Sequence, residues 1–567
     1  VEIRRRQAQV VPSGWPEQVH PVLQRVYAAR GIAGPGDADH RLARMLGFDA
    51  LGGIDRAVAL LAKAIAEGQG IVVAGDYDCD GATGTAVAVR GLRMLGAQQV
   101  GYVIPNRFLH GYGLTPALVA SMPTAPDVLL TVDNGVASID GVAAARARGS
   151  VVIVTDHHLP GPSLPAADAM VNPNLDGDGF PSKALAGVGV VFYLLLALRA
   201  HLREAGHAAA RDADLSTLLD LVALGTVADL VPLDFNNRVL VDAGLRRMRQ
   251  GRACPGIVAL VEASGRSMEA LSAVDLGFAI APRLNAAGRL EDMRLGVEAL
   301  LTDDAAQARG WAMQLDTINR ERRQLQADMV ADAEAMVART QVSGDAAGVA
   351  LFDPSWHAGV VGLVASKLKE RLHRPVLAFA PAGDATDELR GSGRSIAGFH
   401  LRDALALIDA RHPGLILRFG GHAMAAGLSL RQADFPLLAQ AFDRIAREQL
   451  DESALAARVH TDGGLEPGDL CIELALQLRQ GGPWGQAFAP PCFDDVFVCL
   501  GHRVMAGRHW RLDLVDPRDG RRHQGVMFNV DASHVPAREL RLVYELDINH
   551  WQGRDSLQLL VQHMLPA

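Results

Sequence analysis

Ile71-Val72-Val73-Ala74-Gly75-Asp76-Tyr77-Asp78-Cys79-Asp80-Gly81 decides how this chain is read. A short apolar run breaks into three aspartates, and the same pattern recurs twice downstream. Val128-Leu129-Leu130-Thr131-Val132 runs into Asp133-Asn134-Gly135, and Val151-Val152-Ile153-Val154-Thr155 runs into Asp156-His157-His158. Such β-branched runs predict parallel strands buried on both faces. In open α/β sheets, ligands bind beyond the carboxyl ends of the strands. The three ends carry five Asp and two His, and Asp229 follows a further apolar stretch over 219–228. Carboxylates gathered this way repel one another unless a cation neutralises them, so the clusters predict a binuclear metal site. Cys79 stands alone inside the aspartate triplet, so there is no thiolate set. Oxygen-rich sites with one or two imidazoles suit Mn²⁺ or Mg²⁺. Two such ions clamp a phosphoryl group and activate the attacking water. The predicted chemistry is hydrolysis of a phosphate ester.

Each cluster also has a plainer reading. An Asp-rich loop or an Asn-Gly dipeptide is a common turn, and Asp229 could simply end a helix. Asp156-His157-His158 resists this, because a turn gains nothing from adjacent histidines while a metal site gains a ligand and an acid. The joint occurrence carries the inference.

Composition sets the bounds. A chain of 567 residues, 49% hydrophobic and 21% charged, predicts a globular protein of two to four domains. A net charge of −9 confines any nucleic-acid contact to local basic patches. Lysine occurs only at Lys63, Lys183, Lys367 and Lys369, so arginine, with its forked donors, supplies nearly all the positive charge. Five scattered cysteines without a CxxC pair predict no disulfide framework and a reducing, cytoplasmic compartment. Neither a secretion signal nor a membrane span is expected. Gly187-Val188-Gly189 lacks the third glycine of a dinucleotide fingerprint and no P-loop string occurs, so no nucleotide cofactor is expected.

Residues 1–55 read as a helical and irregular segment punctuated by prolines. Over 56–302, strands at 71–75, 100–104, 128–132 and 151–154 alternate with helices at 60–67, 83–95 and 138–148, the pattern of a doubly wound α/β domain, here with a helical extension. Residues 303–340 read as a long connecting helix with a stripe through Trp311, Leu315, Ile318, Leu325 and Met329. A second α/β unit is expected over 341–455. Five short strands over 456–567 predict a small barrel such as an OB-fold.

The strings Gly75–Gly81, Val132–Gly135, Thr155–His158 and Ala223–Asp229 resemble the DHH phosphoesterase superfamily, and within it the RecJ-type exonucleases. The likeness continues through Ala281-Pro282-Arg283-Leu284-Asn285-Ala286-Ala287-Gly288-Arg289, Trp356–Gly362, Ser392-Gly393-Arg394-Ser395 and Gly420–Gly427, in order. The resemblance implies an α/β protein with a DHH and a DHHA1-like domain joined by a long helix, plus the OB-like barrel. It implies a 5′→3′ exonuclease that degrades single-stranded DNA in repair and recombination, with two Mn²⁺ or Mg²⁺ ions. A single-strand-binding protein and a helicase are the implied partners, and a groove between the two α/β domains the implied substrate path. On this reading Asp78, Asp80, Asp133, His157 and Asp229 ligate the ions, and Asp76 completes the set or orients a ligand. Asp156 orients the His157 ring, and His158 contacts the scissile phosphate.

Arg107, Arg283 with Asn285, Ser392 with Arg394, and Gly421 with His422 are the candidate substrate contacts. An isolated arginine is more often a structural ion pair, and Gly420-Gly421-His422 could be a flexible turn. His357 is a weaker candidate that could be a capped core histidine. In the barrel, Arg503, Arg508, Arg511, Arg518, Arg521 and Arg522 interleave with His509, Trp510 and Phe528, which suits single strands by phosphate contact and stacking. The alternative is a polar exterior over a core tryptophan. Two other functions stay open: a DHH-type oligoribonuclease or phosphatase, against which the barrel argues, and a non-catalytic replication scaffold, against which the full ligand set argues.

Overall fold

The computed structural model describes the chain except residues 1, 8–9, 108, 340–345, 384–386, 507–508, 531–535 and 552. It divides into two compact units, Arg5–Asp316 with His460–Ala567, and Val1–Arg4 with Thr317–Val459. Among the described residues no helix is long and apolar enough to cross a membrane.

The larger unit begins its α/β domain with α1 (Ile54–Ala66), β1 (Ile71–Ala74), α2 (Cys79–Met94), β2 (Val100–Val103) and β3 (Val128–Val132). It continues with α3 (Ile139–Ala147), β4 (Val151–Thr155), β5 (Ala169–Val171), α4 (Gly187–Glu204), α5 (Leu219–Ala228) and α6 (Ala281–Leu290). The strands are all parallel in the order β2-β1-β3-β4-β5. Strand order therefore reverses between β1 and β3, where a doubly wound sheet opens its ligand crevice. Ala74 pairs with Thr131, and Val132 with Thr155, so β1, β3 and β4 release the chain at one sheet edge.

Local chemistry moves several boundaries from their expected places. Helix α2 starts four residues early because Asp78 caps it, its Oδ1 accepting from Gly81 N at 2.9 Å. Asp80 thus sits in a helical first turn rather than in a loop. Helix α1 starts at Ile54 because Gly53, at φ 75°, lets the chain pass Met170, whose carbonyl oxygen would lie 2.0 Å from a Cβ there. The short edge strand β5 carried no alternating signal. The apolar run ending at Asp229 is helix α5, with Asp229 as its C-cap.

The long helix is α7 (Ala305–Arg339). Beyond it the smaller unit contains β6 (Val349–Phe352), α8 (Val361–Leu372), β7 (Val376–Pro381), β8 (Glu388–Arg394), β9 (Arg418–Gly421) and β10 (Ala425–Arg431). Its sheet runs β9-β10-β8-β7-β6, with only β6 and β7 parallel. Ser392-Gly393-Arg394 lies on strand β8. Gly420–Gly427 forms part of the β9–β10 hairpin, not the loose turn that was the plainer alternative.

The C-terminal strands β11 (Phe493–Met505), β12 (His509–Val515), β13 (Arg522–Met527), β14 (Glu539–Trp551) and β15 (Arg554–Pro566) close into a barrel in the order β11-β12-β13-β15-β14. Trp510, Phe493, Phe497 and Tyr544 fill it, so Trp510 is core and does not face a strand of nucleic acid. Arg518 is tied to Asp516 and Asp495, at 2.7 and 3.3 Å, and is structural. Arg503, Arg511, Arg521, Arg522 and Phe528 are exposed, and Arg508 lies outside the described residues.

The barrel shares one apolar core with the first α/β domain. Leu233 N donates to Gln486 O at 2.8 Å, and the Arg238 guanidinium stacks on Phe488 at 4.3 Å. The N-terminal segment closes this junction. Tyr27 lies between Trp15 and Trp484, at centroid distances of 5.4 and 6.1 Å, and donates to Gly481 O at 2.9 Å. Arg30 grips Asp462 with two hydrogen bonds of 2.8 and 3.0 Å, the side chains only 4% and 1% exposed. Removing Arg30 would leave the buried Asp462 charge with only Arg6, at 3.4 Å, and the Cys492 N–H to meet it. Arg30→Ala is therefore expected to cost about 3 kcal/mol, read as a lower urea midpoint for the larger unit; an unchanged midpoint would assign the junction's stability to the aromatic contacts alone.

Candidate metal centre

The crevice at the β1/β3 reversal gathers the predicted cluster. Three overlapping sets each place ligand atoms within 4.8 Å of one another: Asp80, His157 and Asp229; Asp76, Asp78 and Asp133; and Asp133, His157 and His158. Asp133 belongs to two of these sets and His157 to two. His157 Nε2 lies 3.1 Å from Asp133 Oδ1 and 3.4 Å from Asp229 Oδ2.

Each side chain is fixed from the backbone up. Asp133 leaves β3 in the left-handed region, φ 63°, a conformation Asp tolerates better than most residues. Gly187 backs directly onto it, since a Cβ on Gly187 would lie 2.5 Å from Asp133 Cβ. Asp80 is held by the N-terminus of α4, Gly187 N donating to Oδ2 at 2.6 Å and Val188 N to Oδ1 at 3.0 Å. Asn134 ties the ends of β1 and β3, its Nδ2 donating to Ala74 O at 3.1 Å and Val132 O at 2.9 Å.

The electrostatics are those of a cation site. Asp76 and Asp133 are buried, and neither Asp76 Oδ1 nor Asp133 Oδ1 accepts a hydrogen bond. Burial first, and the neighbouring carboxylates second, push Asp76, Asp133 and Asp229 well above the usual carboxylate range and Asp80 up to about 7. Oxygen-rich ligands with one or two imidazoles, crowded and under-satisfied, fit Mn²⁺ or Mg²⁺.

Asp156 does a different job from the one expected. Its Oδ1 sits 2.8 Å from His158 Nδ1 and accepts from the backbone N–H of His157 and His158 at 2.8 and 3.1 Å. It therefore orients the His158 ring, not that of His157, because β4 turns the two imidazoles in different directions. Burial opposes the charge on both groups, yet their pairing wins: Asp156 stays below the usual carboxylate range and His158 rises to about 9.

Family models match in chain order: the DHH family N-terminal domain over residues 70–226, the DHHA1 domain over 344–448 and the RecJ OB domain over 461–563. The single-stranded-DNA-specific exonuclease RecJ of Dickeya dadantii is 50% identical over 560 residues, 97% of each chain. The chain belongs to the RecJ family. The crystal structure of RecJ from Thermus thermophilus in complex with Mn²⁺ aligns with TM-score 0.79 at 32% identity, covering 97% of this chain and 76% of that one. The same protein's structure with Mg²⁺ aligns with TM-score 0.75 at 31% identity, covering 96% and 75%.

The other RecJ-like candidates separate in space. The Arg107 guanidinium stacks on Tyr77 at 4.4 Å; Tyr77 meets Tyr112 edge-on at 6.0 Å, and Tyr112 Oη lies 3.3 Å from His158 Nε2. Arg107 thus stays near the site, through two tyrosines the sequence did not single out. Arg283 is buried and paired with Asp316 at 2.8 Å, so its charge is already met within the larger unit. Asn285 is likewise a scaffold residue, its Oδ1 accepting from Cys79 N at 2.8 Å at the start of α2. Ser392, Arg394, Gly421 and His422 lie in the smaller unit. There Arg394 Nη1 donates to Ser392 Oγ at 3.0 Å and Gly393 O at 2.8 Å, with no acid in ion-pair range among the described residues. His357 Nδ1 accepts from Gly359 N at 3.1 Å, as in a capped turn. Sequence reasoning missed Asn172 and Asn174, which donate to His158 O at 2.9 Å and His157 O at 2.6 Å. Their signal was Asn172-Pro173-Asn174 directly after β5.

The site's pH dependence has a definite sign. Raised carboxylates bind more protons folded than unfolded, so their contribution to stability falls as pH rises toward their folded values. His158 contributes fully below about 6.5, its unfolded value, and loses that contribution as pH rises toward about 9. Asp156, held low, stays constant across this window. The metal-free protein is therefore expected to melt at a lower temperature at pH 8 than at pH 5.5, with added Mn²⁺ stabilising it more at pH 8. Equal Mn²⁺ shifts at both values would mean that the carboxylates are not the ligands.

Proposed function

We propose that this chain hydrolyses single-stranded DNA from the 5′ end to mononucleotides, as a cytoplasmic enzyme of repair and recombination that uses two Mn²⁺ or Mg²⁺ ions. The observation that carries the reading is the convergence of five aspartates and two histidines at the sheet's switch point, with buried carboxylate oxygens left unsatisfied. The identity to RecJ exonucleases along the whole chain, and the Mn²⁺ and Mg²⁺ in the Thermus protein, support it.

Asp80, His157 and Asp229 would hold one ion and Asp76 and Asp78 the other, with Asp133 shared. Bound ions would neutralise the carboxylates, polarise the phosphodiester and make water a stronger nucleophile. The remaining work falls to the chain. Asp156 keeps His158 protonated and holds its ring by Nδ1, so Nε2, beside the Tyr112 hydroxyl, can donate to a phosphate oxygen. Asn172 and Asn174 fix the backbone that carries both rings. In the smaller unit, Arg394 with Ser392 is proposed to contact the terminal phosphate, because its half-buried guanidinium has no carboxylate among the described residues to neutralise it. On the barrel, exposed Arg503, Arg511 and Arg522 with Phe528 are proposed to hold the strand. Five free cysteines fit a reducing compartment. A single-strand-binding protein and a helicase are the partners this reading would engage.

Asp133→Asn tests the centre with little change of shape, since Asn also tolerates the left-handed backbone. Cleavage of a single-stranded oligonucleotide in Mn²⁺ is expected to fall on the order of 10³-fold, while the melting temperature without metal holds or rises as repulsion is relieved. More than a tenth of wild-type activity in this variant would remove the binuclear assignment.

A further inference from the structure

Two of the most exposed apolar side chains in the larger unit stand on irregular backbone, one directly after Asp229 and the other on a segment packed against the helix that Asp229 ends. Leu230 directly follows Asp229, its Cα about 3.8 Å along the chain. It is 67% exposed and adopts φ 61°. At this position after a helix the left-handed conformation usually belongs to glycine, because a Cβ disfavours it. Phe278 is 80% exposed and lies in the π-turn Leu276–Ile280 that runs into α6; such turns concentrate at functional sites. The two residues border the same helical turn. Leu230 N donates to Val227 O at 3.4 Å, and a Cβ on Gly277 would touch Val227 Cγ1 at 3.3 Å. That turn ends in Asp229.

Folding accounts for neither side chain. Glycine would end α5 with less strain than leucine, and a solvent-facing phenylalanine adds nothing to the core. Single exposed apolar residues are ordinary. Here both coincide with backbone irregularities, Leu230 directly after a ligand-bearing carboxylate and Phe278 directly after a glycine that packs on Val227, two residues before that carboxylate. A nucleic-acid strand led to the ions by its phosphates must place its bases somewhere, and apolar and aromatic faces receive bases without regard to sequence.

We propose that Leu230 and Phe278 form an apolar shelf that packs against the bases of the strand beside the scissile phosphate. The proposal rests on the single-stranded-DNA reading above and deepens it: the enzyme would sense the presence of a base, not only the charge of the backbone.

The test compares wild type, Leu230→Gly, Phe278→Ala and Phe278→Tyr on 5′-phosphorylated oligonucleotides. One strand is intact, and each of the others carries a single abasic nucleotide at one position near the 5′ end. Melting temperatures come first; Leu230→Gly is expected to match or exceed wild type, and Phe278→Ala to equal it. Wild type is expected to lose about tenfold in kcat/KM when the base is missing at one particular position. Leu230→Gly and Phe278→Ala should lose a comparable factor on the intact strand and become indifferent to that base, whereas Phe278→Tyr should keep the wild-type pattern. Truncated variants that equal wild type on the intact strand, or that keep its abasic sensitivity, overturn the shelf. A folded wild type inactive on every single strand overturns the substrate reading itself, a result distinct from variants that match an active enzyme.

Discussion

The mutual repulsion of buried carboxylates organises this protein. Asp76, Asp80 and Asp133 are buried, and Asp78 and Asp229 are drawn into the same crevice. No arrangement of neutral neighbours would make that favourable, because each charge loses water and gains a like-charged neighbour. Two divalent cations would reverse the sign of the interaction. The chain's task is then to hold the acids in place when the ions are absent, and the scaffold does this with backbone N–H groups. The α4 N-terminus grips Asp80, Gly81 N donates to Asp78, and Val136 N donates to Asp156 Oδ2 at 2.8 Å.

That demand explains the glycines around the site. Gly187 must let α4 approach Asp133, and Gly225 must let α5 approach Asp80, since a Cβ there would fall 2.2 Å from Thr83 Oγ1 and 2.8 Å from Asp80 Oδ1. Gly81 passes equally close to the Asp76 backbone, a Cβ there lying 2.6 Å from Asp76 N. The close packing of helices against the strand ends keeps the carboxylates rigid, which is what preorganised charge stabilisation requires.

The fold and the acidic cluster were legible because both rest on short-range signals. Buried parallel strands read as unbroken apolar runs, and the polar residues that end them mark the crevice. Boundaries shifted where one side chain rewrote local geometry, as Asp78 did by capping α2. Arg283 and Asn285 misled because a motif gives residue type and order but not direction: Asp316 and the Cys79 amide claim them, and both partners are remote in sequence. Asp156 misled for a related reason. Adjacent His157 and His158 are indistinguishable by spacing, and only the turn after β4 decides which ring meets the carboxylate. Asn172 and Asn174 were passed over because their work is done on backbone carbonyls, and the Asn172-Pro173-Asn174 string that marks them names no partner.

The barrel shows a different limit. Its strands were readable, but its attachment was not, because the contacts join residues hundreds of positions apart. Arg30 pairs with Asp462, Tyr27 meets Trp484, and Arg238 lies on Phe488. A chain cut before the barrel would open this aromatic junction and unburden the α/β domain of part of its own core. Grip and chemistry therefore stand on one cooperative unit and cannot be separated by truncation. The proposed strand contacts at Arg503, Arg511 and Arg522, and those proposed for the bases at Leu230 and Phe278, are accordingly to be tested by surface substitutions. The two sets act through different forces: the first weakens with salt, and the second, resting on apolar contact, does not.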